Sequence, residues 1–309
     1  MRALEGARKA SSVILVTGAT GNVGRQVVLQ LLDANHRVRA LVRDPDRADF
    51  PSGAAAVRGD FSAPETWDAA LDSVEAVFVM WPSPSVDVVG FIDRAARRAK
   101  RVVFLSSSLV RDDDPPVNFL AKAHADIEQA IQRSSLAWTI LRPGYFASNA
   151  LRWWAPQLTG GDVLRWPFAG ARYAPIHERD IANVAVHGLT DARHDGQKYV
   201  LTGPQPLTFA EQIDAIGTAT KRPLRFDEIS KDAARALFAE LRFPLPPNVI
   251  DMILDSWERG MTETPLVTDD VARVTGAPAH SFADWAIDHA DDFRLLRQTS
   301  GLSSPSPTR

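Results

Sequence analysis

The stretch Val13-Ile-Leu-Val-Thr-Gly-Ala-Thr-Gly-Asn-Val-Gly24 decides the fold of this 309-residue chain. Its apolar start, Val13–Gly18, is typical of a buried strand, and a helix is predicted from about Val23 to Ala34. Three glycines lie between that strand and that helix: Gly18, Gly21 and Gly24. Their spacing allows a tight turn, a close approach of the backbone to a pyrophosphate, and close packing of the helix on the sheet. We therefore predict a dinucleotide-binding turn made by Gly18, Thr20, Gly21, Asn22, Val23 and Gly24.

Outward from this turn, short apolar runs alternate with amphipathic stretches. The further predicted strands are Arg37–Val42, Ala54–Arg58, Val77–Met80, Val102–Ser106, Trp138–Arg142 and Lys198–Thr202. The helices predicted among them are Glu65–Ser73, Val86–Ala99, Ala121–Arg133 and one beginning near Arg179. Because continuous apolar strands joined by helices form parallel sheets, the pattern predicts an α/β fold with a doubly wound parallel Rossmann-type sheet.

Beyond Pro143 the pattern loosens, and it continues with a predicted helix at Phe209–Thr220 and a strand near Leu224–Phe226. The remainder is predicted to be mostly helical. We divide the chain into an N-terminal extension (1–12), a nucleotide-binding domain (13–204, with 150–175 contributing to the substrate side), a smaller, mostly helical C-terminal cap domain (205–296) and a disordered tail (297–309). The cap is expected to lie over the carboxyl edge of the sheet.

Composition narrows the function classes. The 35 basic and 38 acidic residues give a net charge of −3, which disfavours nucleic acid and an anionic membrane as partners. The chain has no cysteine, and no apolar run approaches the roughly 20 residues needed to cross a bilayer. No His, Asp or Glu set has a recognisable metal spacing. We therefore expect a cytoplasmic protein that binds a small-molecule substrate and no metal.

Arg43 follows the second predicted strand and bears on the choice of cofactor. An NAD-specific site usually carries an acidic residue there to bind the ribose hydroxyls, whereas an arginine fork binds the 2′-phosphate of NADP. The expected cofactor is therefore NADP(H). Asp60 and Phe61, after the third predicted strand, are expected either to flank the adenine or to form a plain loop.

Several segments together resemble the NmrA-like family of atypical short-chain dehydrogenases, over about Val13 to Phe293. They are Thr17-Gly-Ala-Thr-Gly-Asn-Val-Gly24, Leu41-Val-Arg-Asp-Pro45, Leu105-Ser-Ser-Ser108, Trp138-Thr-Ile-Leu-Arg-Pro-Gly-Tyr-Phe146 with Asn149, Pro175-Ile-His-Glu-Arg-Asp-Ile-Ala182, and Leu201-Thr-Gly-Pro204. The resemblance implies an extended Rossmann, NAD(P)-binding domain, a small C-terminal substrate domain and a preference for NADP(H). It also implies that Ser106 and Ser107 lie beside the nicotinamide half of the cofactor and that the segment Pro143–Phe146, with Tyr145, shapes the nicotinamide pocket. Met80 and Trp81 are expected to be further cofactor-binding residues.

The usual Tyr-x-x-x-Lys catalytic pair of short-chain dehydrogenases is absent from the sequence. The residues four places after the three tyrosines are Asn149, His177 and Gly203. Lys122 remains a candidate to hold the ribose. His124 is either a proton donor or a surface histidine paired with Glu128, which shares its helix face. Tyr145 is the other candidate donor, with packing as its alternative role.

Three hypotheses about function follow. The first is an oxidoreductase, an NADPH-dependent reductase of a small apolar carbonyl, quinone or enone, with Tyr145, His124 or water as the proton donor. Three tryptophans either line its substrate pocket or form the core of the cap: Trp153, Trp154 and Trp166. The second is a non-catalytic NADP(H) redox sensor that acts through a protein partner, which the missing catalytic pair favours. The third is a nucleotide-sugar epimerase or dehydratase, which the missing tyrosine disfavours.

Overall fold

A computed structural model describes residues 12–48, 53–83, 86–241, 243 and 245–293. The predicted extension lies outside the described residues except for residue 12, and the predicted tail lies wholly outside them. The strands are β1 (Val13–Val16), β2 (Arg37–Val42), β3 (Ala54–Arg58), β4 (Val74–Met80), β5 (Arg101–Leu105), β6 (Ala137–Pro143), β7 (Val163–Trp166), β8 (Arg172–Tyr173), β9 (Gln197–Leu201), β10 (Leu207–Thr208) and β11 (Arg225–Glu228).

Seven of these strands form one parallel sheet in the order β3-β2-β1-β4-β5-β6-β9. The order reverses between β1 and β4, which is the place where doubly wound sheets bind nucleotides. There the sheet continues past β1, because the Thr17 amide donates to the Phe78 carbonyl (3.0 Å) and the Met80 amide donates to the Thr17 hydroxyl (3.1 Å). The predicted Rossmann-type fold is confirmed.

The α-helices are α1 (Asn22–Asp33), α2 (Trp67–Ala70), α3 (Val88–Ala95), α4 (Phe119–Arg133), α5 (Asn149–Trp154), α6 (Glu178–Thr190), α7 (Phe209–Thr220), α8 (Lys231–Glu240), α9 (Pro247–Gly260), α10 (Asp270–Thr275) and α11 (Phe282–Asp288). Two predicted helices are longer than the observed ones. Within 65–73 the structure has a 3₁₀ turn followed by α2, which ends at Ala70. Ser73 then adopts the left-handed conformation (φ 57°), in which a helix cannot continue. Helix α3 begins later than predicted because the Asp87 side chain caps it by accepting from the Gly90 amide.

The chain divides into two compact units that alternate along the sequence. Within the described residues, the first unit comprises 12–144, 178–201 and 270–278, and the second comprises 145–177, 202–269 and 279–293, each with the gaps given above. The first unit holds the seven-stranded sheet. Two compact units therefore alternate along the chain more often than the predicted boundary after residue 204, with 150–175 on the substrate side, describes. Inside the second unit β7 pairs with β11 and β8 with β10.

Each unit has its own apolar core. In the first, α1 packs on α6 and α3 packs on α4, and the sheet residues between them are almost fully buried. In the second, aromatic side chains from α5, β7, α7 and α9 pack together. Hydrophobic burial of this kind is the main favourable term in folding, so the buried aromatic residues of segment 145–177 stabilise the second unit.

The described residues contain neither a membrane-spanning helix nor a group of side chains arranged for a metal ion. No helix among them is long and apolar enough to cross a membrane. No three His, Asp or Glu side chains in that part of the chain are grouped so that they could hold a metal ion.

Candidate functional site

The glycine turn between β1 and α1 has the geometry of an anion cradle. Gly18 adopts φ 60°, and a Cβ on it would lie 2.6 Å from Met80 Cγ. A Cβ on Gly24 would lie 2.2 Å from the Gly18 carbonyl oxygen, so α1 starts against the turn only because this residue is glycine. The N-cap of α1 is Gly21, which has no side chain to accept from the first helical amides, and amides at such a helix start suit an external acceptor such as a pyrophosphate.

The side chains of this turn differ in exposure. Thr20 and Asn22 are exposed beside Gly21, while Val23 is buried under the helix. The Gly21 amide donates to the Gly18 carbonyl (2.9 Å) and thereby closes the turn. The exposed backbone of this turn is compatible with a dinucleotide pyrophosphate, and the contacts of its individual residues with the cofactor stay a prediction.

Arg43 is exposed at the carboxyl end of β2. The next residue, Asp44, is occupied locally, because its carboxylate accepts from the Asp46 amide (3.3 Å) and caps a 3₁₀ turn. A second arginine, which was not predicted from the sequence, lies here: Arg58, the last residue of β3, donates from Nη1 to the Arg43 carbonyl (3.2 Å). The sequence did contain an indication of Arg58: it ends the predicted third strand as Arg43 follows the second, and parallel strands place their carboxyl ends at one edge of the sheet.

Asp60 and Phe61 follow β3 and have separate environments. The Asp60 carboxylate accepts from the amide (2.8 Å) and the hydroxyl (2.7 Å) of Ser62, and these bonds, with the charge of Arg43, lower the pKa of Asp60. Phe61 is buried and packs edge-on against Phe91, with ring centroids 5.1 Å apart. Phe61 thus lies in the core of the first unit, while Asp60 lies near the charge of Arg43.

His124 lies inside the first unit, among aromatic rings. Its ring meets Trp81 edge-on (centroids 5.0 Å apart, 82°) and is 6.0 Å from the ring of Phe104. Its Nδ1 is buried and has no hydrogen-bond partner among the described residues. Burial lowers the pKa of His124 to about 4, against the opposing effect of the Glu128 charge, so the imidazole is neutral near pH 7.

The predicted surface pair of His124 and Glu128 does not form. Glu128 instead binds Arg142 through both carboxylate oxygens, to Nε (3.0 Å) and Nη2 (2.6 Å), and both side chains are almost fully buried. Ser106 donates its hydroxyl to the same carboxylate (2.5 Å). Arginine forks match carboxylates better than imidazole does, which explains why the spacing of four residues misled the sequence interpretation.

This network continues outward from Arg142. Its guanidinium also binds both oxygens of Asp112 (2.8 and 3.2 Å), and Lys198 donates to Asp112 (2.6 Å). These bonds lower the pKa of Asp112 to about 2. The carboxyl ends of β5 and β6, α4 and the loop after β5 are therefore joined by one charged network, which we call the Arg142 network (Ser106, Asp112, Glu128, Arg142, Lys198).

Lys122 and Ser107 have local partners. Lys122 lies on an exposed face of α4, where its ammonium group binds both oxygens of Asp126 (2.7 and 2.9 Å). Lys122 thus forms a surface ion pair with Asp126, whereas His124, on the same helix, packs against Trp81. Ser107 accepts from the Leu109 amide (3.2 Å), and the carbonyl of Pro143 accepts from the Ser108 amide (3.0 Å).

Tyr145 belongs to the second unit, where its ring stacks on Tyr173 (centroids 4.6 Å apart, 25°). Its hydroxyl is buried and has no hydrogen-bond partner among the described residues. Burial, followed by the influence of Tyr173, raises the pKa of Tyr145 well above its ordinary value. The neighbouring Phe146 is half-buried and forms a single β-bridge with Ile176.

The three tryptophans predicted either to line a pocket or to form a core lie in the core of the second unit. Trp154 and Trp166 are 0% exposed and Trp153 is 7% exposed. Trp153 and Trp166 both pack against Trp257, with ring centroids 4.9 and 5.1 Å apart. The three rings therefore pack in the core, which was one of the two predicted alternatives. Trp154 and Trp166 are fully buried, so they do not form an accessible wall of a substrate pocket.

The fold and the turn define a nucleotide-binding protein of the doubly wound class, and comparison with known proteins identifies its family. The model of a family described as NAD(P)H-binding matches residues 18–192, more than half of the chain. The chain therefore belongs to the NAD(P)H-binding family, and the expected NAD(P)-type cofactor is confirmed.

Two curated relatives match nearly end to end. A (4-alkanoyl-5-oxo-2,5-dihydrofuran-3-yl)methyl phosphate reductase of Streptomyces griseus subsp. griseus is 38% identical, over 91% of this chain and 99% of the relative. An NAD(P)H azoreductase of Xenophilus azovorans is 33% identical, over 91% of this chain and 99% of the relative. The chain thus groups with NAD(P)-dependent oxidoreductases.

Solved structures agree on the fold. An NADPH-dependent quinone oxidoreductase of Escherichia coli has a TM-score of 0.70 at 23% identity, over 89% of this chain and 98% of that chain. A structure of NmrA has a TM-score of 0.68 at 15% identity, over 95% of this chain and 98% of that chain. These likenesses show that the chain shares the fold of both proteins, as the predicted resemblance to NmrA-like proteins implies.

Proposed function

We propose that this protein is an NADPH-dependent reductase of small apolar acceptors, and that its preferred acceptors are conjugated ones such as quinones and enones. The observation that carries the proposal is the glycine turn, where the N-cap Gly21 has no side chain to accept from the first helical amides, with Arg43 just beyond the adjacent strand. When bound, NADPH supplies a hydride. What this chain's residues must supply is binding, orientation and control of a proton.

The protonation states of the candidate donors favour conjugated acceptors. His124 is neutral near pH 7 and Tyr145 keeps its proton, because burial lowers the pKa of the first and raises that of the second. A neutral imidazole or phenol donates a hydrogen bond but is a weak acid. A quinone or an enone accepts hydride to give a delocalised anion, which such a hydrogen bond is enough to stabilise. A simple ketone gives a strongly basic alkoxide, which needs a proton from an acid.

The names of the relatives support the same acceptor class. An azo group, a quinone and an alkanoyl group on an oxo-dihydrofuran are all conjugated, electron-poor groups. The substrate of this chain is part of the proposal, and so is the choice of proton donor. We favour Tyr145 first, His124 second and water third.

Cofactor consumption tests the proposal. Purified protein is mixed with NADPH or NADH and a panel of quinones, enones and simple ketones, and the loss of cofactor absorbance is followed. We expect turnover with NADPH, faster with the conjugated acceptors. An Arg43→Ala variant should lose about 10- to 150-fold of the preference for NADPH, the value of a charge-assisted hydrogen bond.

The matched control is Arg37→Ala, since Arg37 is exposed on the same strand at its opposite end. Its cofactor preference should equal that of the unaltered protein. If NADPH binds but no acceptor is reduced, the reductase is rejected in favour of the redox sensor, and a protein partner whose capture depends on NADPH becomes the next object of search.

A further inference from the structure

Arg58 lies where a second cation would complete a phosphate site. It is the last residue of β3 and pairs in register with Val42, so it ends at the same edge of the sheet as Arg43. Its Nη1 donates to the Arg43 carbonyl (3.2 Å), which holds the guanidinium at the end of β2. The side chain is 64% exposed, so its remaining N–H groups are accessible.

The nearby carboxylates leave this guanidinium incompletely paired. Asp44 approaches Arg58 Nη2 only to 4.0 Å, at the limit of an ion pair, and the same oxygen of Asp44 accepts from the Asp46 amide. The Asp60 carboxylate accepts two bonds from Ser62. Both acids therefore shape their own loops, and neither makes a close ion pair with Arg58 among the described residues.

We propose that Arg58 and Arg43 form a two-arginine clamp for the 2′-phosphate of NADP(H). A phosphate monoester carries between one and two negative charges near pH 7 and offers three acceptor oxygens, more than one fork can satisfy. Arg58 supplies the second fork and is positioned by the backbone of Arg43 itself. This inference rests on the proposed preference for NADPH and names a specificity residue for it.

Two small probes isolate the phosphate. Adenosine 2′,5′-bisphosphate and adenosine 5′-monophosphate differ only in the 2′-phosphate, and their affinities are measured by titration calorimetry without any turnover. In Arg58→Ala we expect the bisphosphate to bind about 10- to 100-fold more weakly, with the monophosphate unchanged. Arg58→Lys, which keeps the charge but not the fork, should lose part of that affinity.

Arg37→Ala serves again as the control, and its affinities for both probes should be unchanged. If Arg58→Ala weakens both probes equally, Arg58 acts only by holding the end of β2, and the clamp is overturned. It is also overturned if neither affinity changes. If the unaltered protein itself shows no preference for the bisphosphate, the proposed preference for NADPH is wrong. If the unaltered protein has that preference but Arg58→Ala keeps it, only the clamp is wrong, so the two failures are distinguishable.

Discussion

Glu128→Gln tests the reasoning about the Arg142 network most severely. The substitution keeps the shape of the side chain but removes the charge that two Arg142 nitrogens and the Ser106 hydroxyl contact at 2.5 to 3.0 Å. Among the described residues, the ionised partner that Arg142 then keeps is Asp112, whose side chain is 54% exposed. Removing one partner of a buried ion pair costs about 3–5 kcal/mol, and the surviving contact with Asp112 places our expectation near the lower value.

The assay is unfolding by heat and by urea, followed by circular dichroism. At about 2–4 °C per kcal/mol for 150–250 residues, a loss of about 3 kcal/mol lowers Tm by roughly 6–12 °C. The matched control is Asp126→Asn on the same helix, which removes only the exposed contact with Lys122 and should cost about 0.3–0.5 kcal/mol. If Glu128→Gln is no less stable than Asp126→Asn, the network does not hold this part of the fold as argued.

Three further outcomes are expected. His124 should remain neutral in an NMR titration down to about pH 5, because burial lowers its pKa to about 4 in the folded protein. Since the pKa of the unfolded state is near 6.5, the protein should lose stability as the pH falls from about 6.5 towards 4. A ring that titrates near 6.5 would refute the burial of His124. Gly24→Ala should abolish NADPH binding in calorimetry, since its Cβ would lie 2.2 Å from a backbone oxygen. The control Gly161→Ala, with nothing within 4 Å of its Cβ, should bind NADPH normally. Equal binding by both variants would contradict the cradle. Tyr145→Phe should be as stable as the unaltered protein or more so, because the buried Tyr145 hydroxyl that it removes has no partner among the described residues. The same variant should lower kcat on an enone by about 10²-fold. An unchanged kcat would assign the proton donor to His124 or water.

The sequence was sufficient where the structure is set by neighbours along the chain. The turn at Gly18–Gly24 is predictable because strand, glycines and helix are contiguous, and each glycine has a steric reason that the structure bears out for Gly18 and Gly24. The parallel sheet is predictable for the same reason, since apolar runs such as Val102–Ser106 alternate with helices.

What the sequence could not give depends on residues that meet only after folding. The spacing of four residues joins Glu128 to His124, yet its partner is Arg142 on β6. The aromatic residues of 145–177 do not indicate which core they enter, and the pairing of β7 with β11 decides it. Arg58 becomes notable only when the register of β2 and β3 places it beside Arg43.

The most direct test of the central claim follows the hydride itself. The protein is incubated with NADPH carrying deuterium at the transferred position of the nicotinamide and with an enone, whose reduced carbon does not exchange its label with water. The account predicts one deuterium per molecule of reduced product, measured by mass spectrometry, together with stoichiometric oxidation of the cofactor. Unlabelled product, or bound NADPH that stays reduced with every acceptor of the panel, would contradict it.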